Sequence, residues 1–158
     1  MSYLLAWNFQ HNKVTIIFHM SIGAVWIIDN DTEDQDIVRA IWEELGFPNE
    51  LALLKSAEEA FVRLTESEKA PFIIISALHL PGMDGFELRR RLLETHSKKF
   101  KSVPFIFWTT HATEEQITQA YDLSVHGFFV KEGSFRDLKE TFQSIINYWL
   151  KSKMPAKR

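Results

Sequence analysis

The residues of this chain that could do chemistry stand at the ends of short apolar runs. Asp29-Asn30-Asp31 closes VWII, Thr109 closes PFIFW, and Lys131 closes GFFV. Two carboxylates two residues apart suit a hard dication or phosphoryl chemistry. A lysine ending an otherwise apolar strand needs a counter-ion, and Asp29 is the obvious candidate. His79, His111 and His126 also lie on or near run ends. Imidazoles with the Asp29 carboxylate would suit zinc, but no close-spaced ligand pair exists, and an ordinary polar loop position is the stronger reading. The chain has no cysteine. That excludes disulfides, thiolate metal sites and thiol catalysis, and it fits a reducing cytoplasm.

These residues need a scaffold that gathers strand ends. From Val25 onward short apolar runs alternate with amphipathic stretches, as in a parallel sheet with crossover helices. VWII (25–28), LALL (51–54), FIIISA (72–77), PFIFWT (104–109) and GFFV (127–130) read as strands. FIIISA lacks polar alternation, so both of its faces should be covered. The first helix is expected over about 33–45, with Ile37, Val38, Ile41, Trp42 and Leu45 on one face and Gly46 as its stop. Ser56 and Glu59 have capping-box spacing for a second, with Ala60, Phe61 and Leu64 inward. A third is expected over about 84–96, with Phe86, Leu88, Leu92 and Leu93 apolar. Thr113 and Gln116 cap a fourth that carries Ile117, Ala120, Tyr121 and Leu123. Ser134 caps the last, where Leu138, Phe142, Ile145, Ile146 and Trp149 recur at helical spacing. Tyr148 and Trp149 are expected to close the core rather than to form a dimer contact. Five repeats of strand then helix imply an α/β fold, a doubly wound five-stranded parallel sheet with helices on both faces. Its functional crevice lies at the carboxyl ends of the strands. The loop carrying Pro81, Gly82 and Gly85 falls on that edge.

With 158 residues, 46% hydrophobic and 25% charged, the chain can bury one core. A net charge of −3 offers no footprint for nucleic acid, and Lys151, Lys153, Lys157 and Arg158 are too sparse to reverse that. YLLAW and VTIIF are apolar, but Asn8, Gln10, His11, Asn12 and Lys13 interrupt them well short of a membrane span, and no signal-peptide pattern results. A cytoplasmic protein with no membrane partner is expected. Met20 directly precedes SIGAVWIID. Residues 1–22 are therefore expected to be an extension, either a start-site artefact or a loosely attached arm, before a domain over 23–150 and a basic tail over 151–158.

Taken in order, the strand ends resemble those of response regulator receiver (CheY-like) domains over about residues 23–150. The string PGMDG sets the register, because the family carries an aspartate phosphoacceptor followed by roughly L-N-M-P-G-M-D-G. The acceptor position then falls on Ala77. Asp29 matches the first residue of the acidic pair that helps hold magnesium, Asn30 replaces the second, and Asp31 completes the acidic turn. Thr109 matches the switch hydroxyl, and Lys131 the phosphate-pairing lysine. Phe128 falls at the switch aromatic position, where a phenylalanine is better read as packed core. His79 lies two residues after the acceptor, where the family's backbone carbonyl binds the metal. The family usually has a cis proline after the lysine, whereas Glu132-Gly133 follow here, so that bend is made differently or not at all.

The resemblance implies a flavodoxin-like strand order of 2-1-3-4-5 and a stand-alone response regulator of two-component phosphorelay signalling that is not an enzyme, with no room for an output module after the last helix. A methyl group cannot attack phosphorus, so phosphotransfer at Ala77 should be absent. With Asn30 and Ala77 in place of two carboxylates, and Asp29 balanced by Lys131, magnesium affinity should be weak or lost. Ser76 and Asp84 are poor substitutes, since alternation turns Ser76 to the other face and Asp84 lies further along the loop. Ala77 is either an engineered replacement of a native aspartate, favoured by the retained LHLPGMDG, or the mark of a natural pseudo-receiver that binds without phosphorylation, favoured by Asn30 and Glu132. The expected partner is a sensor histidine kinase or histidine phosphotransfer protein docking near Asp34, Ile37, Val38 and Ile41. The alternative is a downstream protein on the switch face of fourth helix, fifth strand and fifth helix. Asp29-Asn30-Asp31 is also similar to the first motif of magnesium-dependent haloacid dehalogenase phosphatases, with Ser76 and Lys131 as the later motifs. That reading lacks its further acidic motif, because Glu132 is followed only by Asp137 and Glu140 on a helix, and no cap-sized insertion exists.

Overall fold

A parallel sheet covered on both sides needs strands that are apolar at nearly every position. The computed structural model, which describes residues 22–95 and 98–155, shows this in β1 (Val25–Ile28), β2 (Leu51–Leu54), β3 (Ile73–Ser76), β4 (Phe105–Thr109) and β5 (Gly127–Val130). They form one parallel sheet in the order β2-β1-β3-β4-β5, the doubly wound topology expected. Pairing of Ile28 with Ser76, Ser76 with Phe107, and Thr109 with Val130 aligns the strand ends. Asp29, Ala77 and Lys131, each following directly on its strand, therefore share one edge with Thr109.

The helices are α1 (Thr32–Leu45), α2 (Ala57–Glu66), α3 (Gly85–Glu94), α4 (Lys98–Lys101), α5 (Glu114–Asp122) and α6 (Phe135–Lys151). Strand alternation divides the core in two. Trp26, Ile28, Ile74, Phe105 and Phe107 pack with Leu64 of α2, Leu88 of α3 and Ala120 of α5. Val25, Ile27, Ile73, Ile75 and Trp108 pack on the other face with Val38 and Ile41 of α1 and Phe142, Ile145 and Ile146 of α6. Gly46 ends α1 at φ 61°, a left-handed conformation that favours glycine, and its N–H donates to the Trp42 carbonyl. Thr113 and Gln116 make the full capping box at α5.

Several expectations change. At α2 only half a capping box forms, because the Glu59 carboxylate accepts from the Lys55 N–H instead of the Ser56 N–H. Helix α3 stops at Glu94, its cap Thr95 bonding back to Arg91, and the short α4 follows. Tyr148 is 65% exposed, so it does not close the core, whereas Trp149 is half-buried with its ring edge on His126. Val38 and Ile41 are core residues and cannot offer a docking surface. Arg89 is buried beside the apolar residues of α3. Its guanidinium stacks on Phe105 and donates to the Leu123 and Ser124 carbonyls at the end of α5, and burial lowers its pKa to about 10. Among the described residues no helix is long and apolar enough to cross a membrane. The expectations for residues 1–21, His96 and 156–158 lie outside the described residues.

The amino end of the sheet carries a proton-sensitive bond. His126 Nδ1 accepts the Phe105 N–H at 3.0 Å, and the His126 N–H donates to the Phe105 carbonyl at 2.8 Å. Burial first, and the Arg89 charge second, hold the imidazole pKa below its ordinary 6.5. A depressed histidine binds its proton better in the unfolded chain, so stability is present above pH 6.5 and is lost as pH falls through the folded value. Urea unfolding at pH 7.5 and below 6 should show this loss, and His126→Asn should flatten the pH dependence.

Candidate functional site

The site begins with backbone bonds that hold the strand ends level. Asp29 N–H donates to Leu54 O at 3.0 Å, Ala77 N–H to Ile28 O at 2.8 Å, and Lys131 N–H to Thr109 O at 2.6 Å. Gln35 reinforces this edge from α1, its buried amide donating to the carbonyls of Asp29 at 2.7 Å and Leu54 at 2.9 Å. Asp31 caps α1 by accepting from the Glu33 and Asp34 amides, so its carboxylate serves the helix. Asn30 is exposed beside it.

The expected Asp29–Lys131 pair is present and has a third member. Lys131 Nζ donates to Asp29 Oδ2 at 2.6 Å and to Asp34 Oδ2 at 2.7 Å. The Lys131 and Asp29 side chains are only 9% and 8% exposed. Burial pulls the ammonium down, but the Asp29 charge and its own hydrogen bonds to both carboxylates outweigh it and leave the pKa above its ordinary 10.5. The other Asp29 oxygen accepts the Asp31 N–H at 2.9 Å. Asp34, expected on a docking surface, thus faces inward to the lysine.

Ala77 borders this pocket with its methyl group and is 8% exposed. The fully buried Ser76 hydroxyl donates to the Ala77 carbonyl. Asp84 caps α3 by accepting from Glu87 N–H at 2.8 Å. The buried Thr109 hydroxyl donates to the His111 carbonyl at 3.3 Å, and Phe128 is half-buried with its ring 5.8 Å from that of Phe107. His79 and His111 stack at 4.9 Å, with His79 Nε2 3.3 Å from the His111 carbonyl, while His126 lies at the other end of β5. No cis peptide bond occurs among the described residues, so the bend after Lys131 is made in trans.

These residues do not fit a resident magnesium ion. Both Asp29 oxygens are engaged, Asp34 holds the lysine, Asp31 caps a helix, and Ala77 offers no oxygen from its side chain. Among the described residues no three histidine, aspartate or glutamate side chains gather as a metal cluster, which also leaves the zinc reading without a site.

Two further contacts shape the loop after β3. Gly82 has φ 76°, and any Cβ there would lie 2.5 Å from the Glu58 carboxylate, which accepts the Met83 N–H at 2.6 Å. A Cβ at Gly85 would lie 2.6 Å from the Ala77 carbonyl. Asp34, Gln35 and Glu58 were missed as site residues because each occupies an ordinary polar helix position. No signal in the sequence pointed to a second carboxylate on Lys131, since Asp29 already balanced its charge.

Residues 25–143 match the response regulator receiver domain family. A probable methanogenesis regulatory protein, FilR2 of Methanothrix harundinacea, is 31% identical over 126 residues, spanning 77% of this chain and 79% of that one. The chemotaxis protein CheY-3 of Vibrio cholerae is 27% identical over 123 residues, spanning 77% and 90%. The Mn(2+)-bound response regulator Rcp1 superposes with a TM-score of 0.75 at 23% identity, over 85% of this chain and 99% of that one. The receiver domain of the Pseudomonas aeruginosa sensor histidine kinase PA1611, with a magnesium ion in its cleft, gives 0.68 at 17% identity, over 82% and 98%. The chain belongs to the response regulator receiver domain family.

The Glu58 contact yields a local test. Glu58→Ala should leave the fold intact while hydrogen exchange at the Met83 amide accelerates by roughly tenfold or more, since exchange there then needs only local opening. Unchanged Met83 protection would show that the carboxylate does not anchor the loop.

Proposed function

We propose that this chain works as a receiver domain of two-component signalling that acts by protein contact and cannot form an acyl phosphate at position 77. The observation that carries this is the methyl group of Ala77, which stands at the crevice directly after β3, beside Asp29 and Lys131. In this reading Asp29 and Asn30 stand at the acidic-pair positions, and Asp31 beside them is given to capping α1. Thr109 and Phe128 occupy the switch positions, Lys131 the phosphate-pairing position, and the His79 carbonyl the remaining metal-ligand position. Magnesium binding is weak because the carboxylates are already committed. A sensor histidine kinase, a histidine phosphotransfer protein or a downstream protein is the partner class, recognised through surface contacts. On α1 these must come from exposed residues such as Asp36, Arg39 and Glu43 rather than from Val38 and Ile41. The domain itself spans residues 23–150.

The double pairing of Lys131 favours the second reading, a natural pseudo-receiver, over an engineered alanine. With Asp34 as a second acceptor beside Asp29, the ammonium is fully satisfied with no carboxylate at position 77.

Intact mass should be measured after incubation with a small phosphodonor and magnesium, on this chain and on Ala77→Asp. The chain itself should gain no phosphoryl group. Labelling confined to Ala77→Asp would show a working receiver with one part removed, and labelling of neither would favour the phosphorylation-independent module. Labelling of the unmodified chain would overturn the placement of the acceptor at Ala77.

A further inference from the structure

The misfit between this pocket and a divalent cation has a specific cause. Asp29 Oδ2 and Asp34 Oδ2 converge on one point, and the Lys131 ammonium occupies it at 2.6 and 2.7 Å. These are the short distances of charge-assisted bonds and only slightly exceed the roughly 2.0–2.6 Å of magnesium or calcium to oxygen. The lysine also lies near the Trp108 ring, with Nζ 5.6 Å from its centroid. Asp34 reaches the ammonium from the first turn of α1, 97 residues away in sequence, and Asp29 from the end of β1, 102 residues away.

We infer that Lys131 is the resident cation of this pocket: its ammonium, held between Asp29 and Asp34, takes the place of a divalent ion and fixes the crevice in one metal-independent state. This rests on the reading of Ala77 as the vacated acceptor position. A tethered cation needs no free ion to be captured, so it competes at high effective concentration. An incoming dication would have to expel a buried ammonium past Ile37, Trp108 and Leu138, which line the same pocket, and would leave that charge without its partners. Asp34 is the determinant, since it supplies the second carboxylate that Asn30 and Ala77 do not.

Removing the ammonium should then uncover a cation site that the parent chain hides. The test is an Mn2+ titration of the full chain and of Lys131→Gln, followed by paramagnetic broadening of the Asp29 and Asp34 amide signals. Lys131→Gln should bind Mn2+ at the pocket at least ~10-fold more tightly than the parent, because two carboxylates then face a hard cation without competition. Adding Asp34→Asn should remove the gain. Equal pocket affinity in parent and variant, or a gain that survives Asp34→Asn, overturns the inference. If Lys131→Gln does not fold in metal-free buffer, Lys131→Met, which retains an apolar stem beside Trp108, is titrated instead. Recovery of the folded spectrum by Mn2+ is expected, and its absence overturns the inference. The phosphodonor mass measurement separates the two claims: a labelled parent chain sinks the reading of Ala77, whereas a failed Mn2+ gain with an unlabelled parent sinks only the resident-cation role of Lys131.

Discussion

The carboxyl edge of the sheet is organised around one buried charge. Lys131 extends from the end of β5 across Trp108 to carboxylates at the end of β1 and on α1, so a single ammonium ties together segments about a hundred residues apart. Burying such a group is unfavourable unless its hydrogen bonds and counter-charges are complete. Two carboxylates at 2.6 and 2.7 Å meet that requirement. Without the lysine, Asp29 would remain a buried and uncompensated carboxylate, a loss on the order of 3–5 kcal/mol. The rest of the edge follows from keeping these three groups in register.

That register is set by backbone and amide bonds rather than by the charges themselves. Gln35 binds the carbonyls of Asp29 and Leu54, which fixes α1 against the ends of β1 and β2. Asp31 caps α1 and thereby orients its first turn, from which Asp34 projects toward the lysine. On the other side of the crevice, Glu58 holds Met83, and Gly85 leaves room for the Ala77 carbonyl. Thr109 and His79 both turn to the His111 carbonyl, so the groups flanking Ala77 are satisfied by the chain itself.

Most of this architecture was legible in the sequence because its signals were local. Uninterrupted apolar runs marked the strands, and Gly46 and Thr113 marked helix ends. The Asp29–Lys131 pair could also be foreseen, since a lysine closing GFFV has few ways to be satisfied. What escaped notice depended on tertiary context. Arg89 carries no local signal of burial, and only the fold shows that it binds the carbonyls at the end of α5. Tyr148, next to the half-buried Trp149, is 65% exposed rather than part of the core. Glu59 has the spacing of a capping box and bonds one residue too early. Val38 and Ile41 belong to the apolar stripe of α1, and a stripe packed on a sheet cannot also receive a partner.

Asp34 is the most instructive miss, because it bears on how the crevice holds together. Asp29 alone would balance the charge of Lys131, and Asp34 adds a second acceptor that completes the hydrogen bonding of the buried ammonium. Here the charges on the three side chains sum to −1, since Asp29 and Asp34 each carry one negative charge and Lys131 one positive. The lysine is therefore matched, and a modest negative excess sits beside the positive amino end of α1, where it is favoured by the helix dipole. The absence of a reactive carboxylate at position 77 thus leaves no electrostatic deficit in the fold. The shape of this part of the crevice is carried by the chain's own charges, which satisfy one another across β1, α1 and β5.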